Sequence, residues 1–148
     1  MKRRRFVLLS AALATTTGCV GGGGSAPEQP EYGDWFENVG NFEGFEDHRG
    51  EDEVGVTVGA GENGFLFDPP AVTIAPGTTV VWEWTDEGGP HVVAERDGAW
   101  QNPAGLIDEE GHTWERDFTA SDAGTHLYVC WPHRSSGMKG GVFVDATG

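Results

Sequence analysis

From residue 54 onward the chain consists of short runs in which hydrophobic and polar positions alternate. In Val54–Val58 every second residue is a valine, a period of two that turns one face of a β-strand towards a core. Six more short strand-like runs follow, separated by turn residues, and this pattern predicts an antiparallel β-sandwich. The six runs are Ala71–Ala75, Thr78–Trp84, His91–Ala94, Thr113–Phe118, Thr125–Cys130 and Gly141–Val144.

The segments between these runs carry turn signals. Ala75–Thr78 contains Pro followed by Gly and predicts a type II turn, because Gly accepts the positive φ that the third position requires. Asp86–Pro90 and Ser121–Gly124 are predicted to be loops. Asn41–Glu53 is acidic and is predicted to be a loop or short helix over the surface. Asn102–Gly111 interrupts the strand rhythm, which predicts a loop with one helical turn.

Residues 1–18 are predicted to be an export leader. Basic residues precede the apolar run Phe6–Ala14, which is shorter than the about 20 residues that a spanning helix needs. Arg3–Phe6 resembles the twin-arginine pattern, whose pathway exports folded proteins. An ordinary secretory leader with one additional arginine is the alternative.

Thr16–Cys19 resembles a lipobox, in which the cysteine becomes the lipidated first residue of the mature protein. A chance cysteine near a signal-peptidase site is the alternative. Gly and Pro are frequent after Cys19, so residues 19–33 are predicted to be a lipidated N-terminus and flexible tether. Residues 34–148 then form one domain, anchored to the outer face of the cell membrane.

The charge of the chain excludes nucleic acid as a partner. There are 24 Asp and Glu against nine Lys and Arg, a formal net charge of −15, and a phosphate backbone would be repelled. Removal of the leader takes four basic residues with it and leaves a net charge of −19. The acidic residues are spread over nearly every loop, which favours adaptation to high salt over a docking face for a basic partner.

The stretch from Cys130 to Met138 carries the candidate chemistry. Cys130, His133 and Met138 have the spacing Cys-x2-His-x4-Met where a predicted strand enters a tight loop. A thiolate, an imidazole and a thioether together favour copper over calcium, magnesium or iron-oxygen chemistry. His91, directly after a loop, is the candidate for a second imidazole. His126 is excluded, because it lies four residues before Cys130 on a strand, about 13 Å away.

Four segments of the chain together resemble the small blue copper proteins, or cupredoxins, and within them the plastocyanin-like halocyanins. The resemblance covers roughly Trp35 to Val144. It implies an all-β, Greek-key sandwich of about seven or eight strands. It also implies one type 1 copper, with His91, Cys130 and His133 as ligands and Met138 as the weak axial ligand. The four segments are Phe67–Pro70, Pro76–Trp84, Pro90-His91 and Cys130–Met138.

Two positions depart from the family pattern. Members of the family often have Asn after the first histidine and a small hydroxyl or amide residue after the cysteine, and these side chains hydrogen-bond across the site. This chain has Val92 and Trp131 there. Because such hydrogen bonds tune the sulfur donor, the resemblance implies the ligands but not the reduction potential.

The resemblance implies a one-electron carrier and not an enzyme, because two His, one Cys and one Met leave copper no strong open position for a substrate. The implied partners are membrane redox proteins of the cytochrome or terminal-oxidase class, and the protein is predicted to be a monomer. Two other functions stay open. One is a copper storage or delivery protein, although the chain has only two Met. The other is a metal-free surface recognition sandwich, in which Cys130 is an inert buried residue.

Overall fold

The computed structural model describes residues 29–147, and strands account for most of the regular structure in that range. Two 3-10 turns interrupt the strands, at Ala120–Asp122 and Trp131–Ser136. The strands are β1 (Glu46–Asp47), β2 (Glu53–Ala60), β3 (Leu66–Asp68), β4 (Ala71–Ile74), β5 (Thr79–Trp84), β6 (Ala94–Glu95), β7 (Thr113–Asp117), β8 (Gly124–Val129) and β9 (Lys139–Val144).

The strands form two sheets, so the predicted all-β sandwich is confirmed. One sheet has the order β1-β4-β9-β8-β6 and the other β3-β2-β5-β7. Both sheets are mixed, whereas the alternating pattern predicted antiparallel ones. β4 runs parallel to β1 and β9, and β2 runs parallel to β5. Parallel neighbours are joined by crossovers between distant segments, and alternation within one strand carries no information about such pairing.

Most predicted strands are present, but the structure differs from the prediction at three places. The strands β1 and β3 are two and three residues long, too short to show alternation. The predicted strand His91–Ala94 is strand only at Ala94, and His91 instead forms an isolated bridge to Ile107. The helical turn predicted in Asn102–Gly111 is wrong, because the Asn102 N–H donates to the Val93 carbonyl and the Ile107 N–H donates to the His91 carbonyl.

The main core lies between the sheets. In β2, Val54, Val56 and Val58 are buried and alternate with exposed residues, as the period of two predicts. Large aromatic rings fill the centre: the Trp82 ring stacks on Trp114 at a centroid distance of 5.2 Å. Trp82 and Trp114 lie opposite each other on the neighbouring strands β5 and β7.

A second aromatic cluster covers the opposite face of the five-stranded sheet. It is built by residues 32–45, which we call the N-terminal strap. Within the strap, Phe36 and Phe42 stack with their centroids 4.0 Å apart, and the Trp35 indole donates a hydrogen bond to the Gly140 carbonyl at 3.2 Å. The strap explains why β4 is buried at all four positions, since strands covered on both faces read as continuous apolar runs.

The predicted leader and the predicted lipidation site Cys19 precede the described residues, so both predictions lie outside them. Within residues 29–147, no helix has the length and apolarity needed to cross a membrane.

Candidate metal centre

The loop between β8 and β9 is shaped by its own backbone. The Cys130 N–H donates to the Met138 carbonyl at 3.0 Å, which places the two residues opposite each other where the strands separate. The His133 N–H donates to the Cys130 carbonyl at 3.0 Å, and the Met138 N–H donates to the His133 carbonyl at 3.2 Å. Gly137 ends the turn at φ 91°, a left-handed conformation that glycine adopts without a steric penalty.

The fold brings His91 to this loop from the segment after β5. The Cys130 Sγ atom lies 3.7 Å from His91 Nδ1 and 3.4 Å from His133 Nδ1. The two Nδ1 atoms are 3.2 Å apart. Donors held about 2.0–2.3 Å from one transition-metal ion, at trigonal or tetrahedral angles, lie about 3.3–4.0 Å from one another, and the 3.2 Å between the two Nδ1 atoms is close to the lower end of this range. The three donors therefore fit a single ion.

Met138, the predicted axial ligand, lies beside Cys130 in the core. Its side chain is fully buried and belongs to the same core cluster as Cys130. Its backbone is fixed by the hydrogen bond from Cys130 described above. A buried thioether is a soft, weak donor that suits copper better than a hard cation.

The orientation of His91 is fixed by a backbone carbonyl. Its Nε2 atom lies 2.6 Å from the Glu87 carbonyl oxygen. Because a carbonyl only accepts hydrogen bonds, Nε2 carries the proton and Nδ1 presents its lone pair to Cys130 and His133. The imidazole is thus held in the tautomer that a metal ligand at Nδ1 requires.

Asn102 holds the His91 segment in place from the side. Its Oδ1 accepts from the Val93 N–H at 2.9 Å, and its Nδ2 donates to the Gly105 carbonyl at 2.8 Å. Its side chain is fully buried. Val92 occupies the position where the family often has an asparagine, so Asn102 supplies a side-chain hydrogen bond to this segment from another loop. This role could not be predicted from the sequence, because Asn before Pro is an ordinary turn signal.

Burial changes the ionisation of all three donors. It lowers the pKa of His91 and of His133, and the neighbouring His133 further lowers the pKa of His91. It raises the pKa of the Cys130 thiol, against hydrogen bonds from the backbone of Val92 and His133 that lower that pKa. Neutral imidazoles are the form that binds metal. A buried thiolate is costly on its own, and a metal cation provides the compensating charge.

His133 is the donor nearest the surface. It is half-buried, whereas His91 and Cys130 are fully buried. The Phe65 ring stacks on its imidazole at 4.6 Å. Trp131, the other position that departs from the family pattern, does not pack down as a lid, because 49% of its surface is exposed.

The remaining histidines of the described residues lie elsewhere. His126 Nε2 donates to the Asp122 carbonyl at 2.7 Å. His48 is held between Glu46 and Glu51, and the His112 ring meets the Trp84 ring edge-on. None of these three rings is among the converging donors, and the predicted exclusion of His126 agrees with this geometry.

Residues 54–145 match the family described as copper binding proteins, plastocyanin/azurin family. The chain belongs to this family. A halocyanin from Natronomonas pharaonis is 43% identical over 98% of each chain. A plastocyanin from Scenedesmus fuscus is 36% identical over 63% of this chain and 100% of the relative. A solved mutant plastocyanin of fern aligns with a TM-score of 0.51 and 23% identity, over 62% of this chain and all of that one.

This membership settles the class of the protein. It is a small blue copper protein of the cupredoxin fold that transfers electrons, and its cofactor is copper. The N-terminal strap precedes the residues that match the plastocyanin/azurin family, whereas the similarity to the halocyanin extends over 98% of the chain.

Proposed function

We propose that the protein carries single electrons between membrane redox proteins, with His91, Cys130, His133 and Met138 as the ligands of one type 1 copper. The observation that carries this assignment is the convergence of one thiol and two imidazoles, whose donor atoms all lie within 4.8 Å of one another. The fixed tautomer of His91 supports it, because that tautomer leaves Nδ1 free to bind the ion.

Copper bound at this site supplies a one-electron couple between Cu(I) and Cu(II). The chain's part is to keep the donors in one arrangement that both oxidation states tolerate. His91 is held by the Glu87 carbonyl, and the Cys130–Met138 loop is held by its backbone hydrogen bonds. Four protein donors leave no strong open position for a substrate, so we propose no enzymatic activity.

The exposed edge of His133 is the proposed route for the electron. The other two converging donors, His91 and Cys130, are fully buried, whereas His133 is half-buried, with the Phe65 ring on its imidazole and the exposed Trp131 two residues before it in the chain. An apolar contact of this kind permits close, short-lived docking. The proposed partners are membrane proteins of the cytochrome or terminal-oxidase class.

The proposed location follows from the leader and from Cys19. An export signal, a lipidated Cys19 and a Gly-rich tether would hold a monomeric domain on the outer face of the cell membrane. Labelling cells with a radioactive fatty acid or isoprenoid precursor, in the wild type and in Cys19→Ser, tests the anchor. Label that persists in Cys19→Ser would exclude Cys19 as the lipidation site.

The visible spectrum of the protein loaded with Cu(II), together with the copper content per chain, tests the site. We expect one copper per chain and an intense thiolate-to-copper band. A stable protein without bound copper would favour the surface recognition sandwich. Copper that a competing chelator removes readily would favour storage or delivery over electron transfer.

Met138→Leu is expected to keep the colour and to raise the reduction potential. The thioether donates electron density that favours Cu(II), and leucine removes this donation while filling a similar buried volume. Redox titration of the copper-loaded variant measures the change. A potential that falls would contradict the axial role of Met138.

The melting temperature is expected to rise strongly with salt. Residues 29–147 carry five Lys and Arg against 23 Asp and Glu, and such a charge repels itself. The Debye length shrinks from ~10 Å at 0.1 M to ~3 Å at 1 M, so KCl should screen this repulsion. Calorimetry of the copper-loaded protein, from about 0.05 to about 3 M KCl, measures the effect. A flat melting temperature would contradict an adaptation to high salt.

A further inference from the structure

The N-terminal strap contacts the loop that carries three of the four candidate ligands. We call this loop, Cys130–Met138, the ligand loop. The strap precedes residues 54–145, so the part of the chain that matches the family does not include it. Two residues of the strap, Trp35 and Asn38, contact the chain on the two sides of Met138. The strap can therefore act on the candidate metal centre from outside the matched domain.

Asn38 lies against the turn that precedes Met138. A methyl group on Gly137 would overlap the Asn38 carbonyl oxygen, so the backbones of the strap and of the turn are in direct contact at this point. The Asn38 side-chain nitrogen also donates to the carbonyls of Arg134 and Ser135, through long hydrogen bonds of 3.5 and 3.4 Å. Asn38 thus limits the movement of the turn through both its backbone and its side chain.

Lys139 fixes the orientation of the Asn38 side chain. Its ammonium donates to Asn38 Oδ1 at 2.9 Å. Because an ammonium only donates hydrogen bonds, Oδ1 faces Lys139 and the side-chain nitrogen faces the turn. The same ammonium lies 5.1 Å from the centroid of the Trp35 ring, within the range of a cation–π interaction. The residue directly after Met138 is therefore held between two residues of the strap.

Trp35 holds the backbone two residues after Met138. Its indole N–H donates to the Gly140 carbonyl at 3.2 Å, in a buried hydrogen bond. A methyl group on Gly140 would overlap the Tyr128 ring, so the main core blocks movement of Gly140 towards Tyr128. The start of β9 is therefore fixed by the strap and by the main core together.

Coverage of the sheet does not require these contacts. The apolar side chains of the strap bury the outer face of the five-stranded sheet, whereas the polar groups of Trp35 and Asn38 bind atoms close to Met138. The Met138 side chain is fully buried. Consecutive Cα atoms are about 3.8 Å apart, so a movement of Lys139 moves Met138 as well.

We propose that the strap positions Met138 through Trp35 and Asn38, and so sets the strength of the contact between the thioether and copper. This inference rests on the proposed function, in which Met138 is the axial ligand. An axial ligand is weak and long, and it tunes the reduction potential. A Met138 that is held less firmly donates less to Cu(II), so the potential rises, in the same direction as in Met138→Leu.

Two variants remove the contacts and keep the apolar cover of the sheet. Asn38 is exposed, so Asn38→Ala leaves no cavity. Trp35→Phe keeps a ring but has no N–H for the Gly140 carbonyl. Asn41→Ala is the matched control, because Asn41 also belongs to the strap and its side chain also donates to a backbone carbonyl, that of Phe67, at 2.9 Å. Phe67 lies in β3, which carries no candidate ligand.

The first readout is hydrogen exchange of backbone amides in the metal-free protein. The N–H groups of Gly137 and Met138 both donate within the turn, so their exchange reports its local opening. We expect Asn38→Ala to speed exchange at both amides about two- to tenfold, the effect of losing one net hydrogen bond. Asn41→Ala should leave these two amides unchanged. The amides of β2 register any loss of overall stability in either variant.

The second readout is the reduction potential of the copper-loaded protein, measured by redox titration. Asn38→Ala and Trp35→Phe should each raise the potential, but by less than Met138→Leu does. When either variant is combined with Met138→Leu, it should cause no further rise, because the group that it positions is gone. Asn41→Ala should leave the potential unchanged.

Three results would overturn the inference. One is that Asn38→Ala and Asn41→Ala speed exchange at Gly137 and Met138 equally. Another is that Asn38→Ala leaves the potential unchanged or lowers it. The third is that Asn38→Ala raises the potential equally with and without Met138→Leu. A Met138→Leu variant whose potential does not change would contradict the axial role itself. Exchange in the metal-free protein does not depend on which residues bind copper, so it separates that failure from a strap that does not hold the ligand loop.

Discussion

Cys130→Ser is expected to abolish the intense visible band of the copper-loaded protein. The band arises from charge transfer between a thiolate and copper, and the serine hydroxyl ionises poorly and lacks the soft sulfur donor that copper prefers. Cys130 is fully buried, and its Sγ lies within 3.7 Å of both imidazole Nδ1 atoms. No other cysteine of the described residues could take its place.

The absorption spectrum of the variant after addition of Cu(II) measures this change. Cys19→Ser is the matched control, because it makes the same substitution at the other cysteine of the chain and should leave the band unchanged. Circular dichroism establishes that Cys130→Ser is folded. A folded Cys130→Ser protein that retains the band would show that Cys130 is not the sulfur ligand.

Gly59→Ala is expected to lower the affinity for copper about 10- to 100-fold, the usual effect of disturbing a residue that orients a metal ligand. Gly59 lies at the end of β2 beside the His91 imidazole. A methyl group there would lie 2.5 Å from Thr85 Oγ1, which must move away, and 3.1 Å from both His91 Nε2 and the Glu87 carbonyl oxygen. The last two are the atoms of the hydrogen bond that holds His91 in its tautomer, so the methyl group would push them apart.

Gly77→Ala is the control that separates the steric effect of the added methyl group from the cost of placing alanine at a positive φ. Both glycines have a positive φ, 94° at Gly59 and 101° at Gly77, but a methyl group on Gly77 meets no atom within 4 Å. Each substitution should cost about 1–2 kcal/mol of stability for the left-handed backbone. Only Gly59→Ala should also weaken copper binding, measured by competition with a chelator. Equal copper affinities in the two variants would exclude the proposed role of the Glu87–His91 hydrogen bond.

The sequence predicted those parts of the fold that depend on a local pattern of residues, such as alternation within a strand or the residues of a turn. The valines of β2 alternate with exposed residues, and the Pro-Gly turn before β5 has Gly77 at positive φ as expected. Which strands become neighbours depends on contacts between distant segments. The parallel pairing of β4 with β9 could therefore not be predicted from either run alone.

The same distinction applies to the candidate site. Cys130, His133 and Met138 lie in one loop, so the spacing of these three candidate ligands can be recognised in the sequence itself. His91 was only a candidate until the fold brought it within 3.2 Å of His133. Asn102 and the Glu87 carbonyl act through hydrogen bonds to backbone or ring atoms. Ordinary turn residues make the same bonds, so the residue types at these positions do not indicate a role in the site.

The ligand loop also has a consequence for when the metal is inserted. Its shape depends on hydrogen bonds between backbone atoms of Cys130, His133 and Met138, and the side chains of these residues take no part in them. Because these hydrogen bonds use no ligand side chain, we expect folding to order the loop before metal binds, unlike in domains that fold only around their ion. Copper then stabilises the folded chain by mass action, about 4 kcal/mol at a free concentration 1,000 times Kd. We therefore expect copper to load onto the folded chain, so that the supply of copper determines when a folded molecule becomes active.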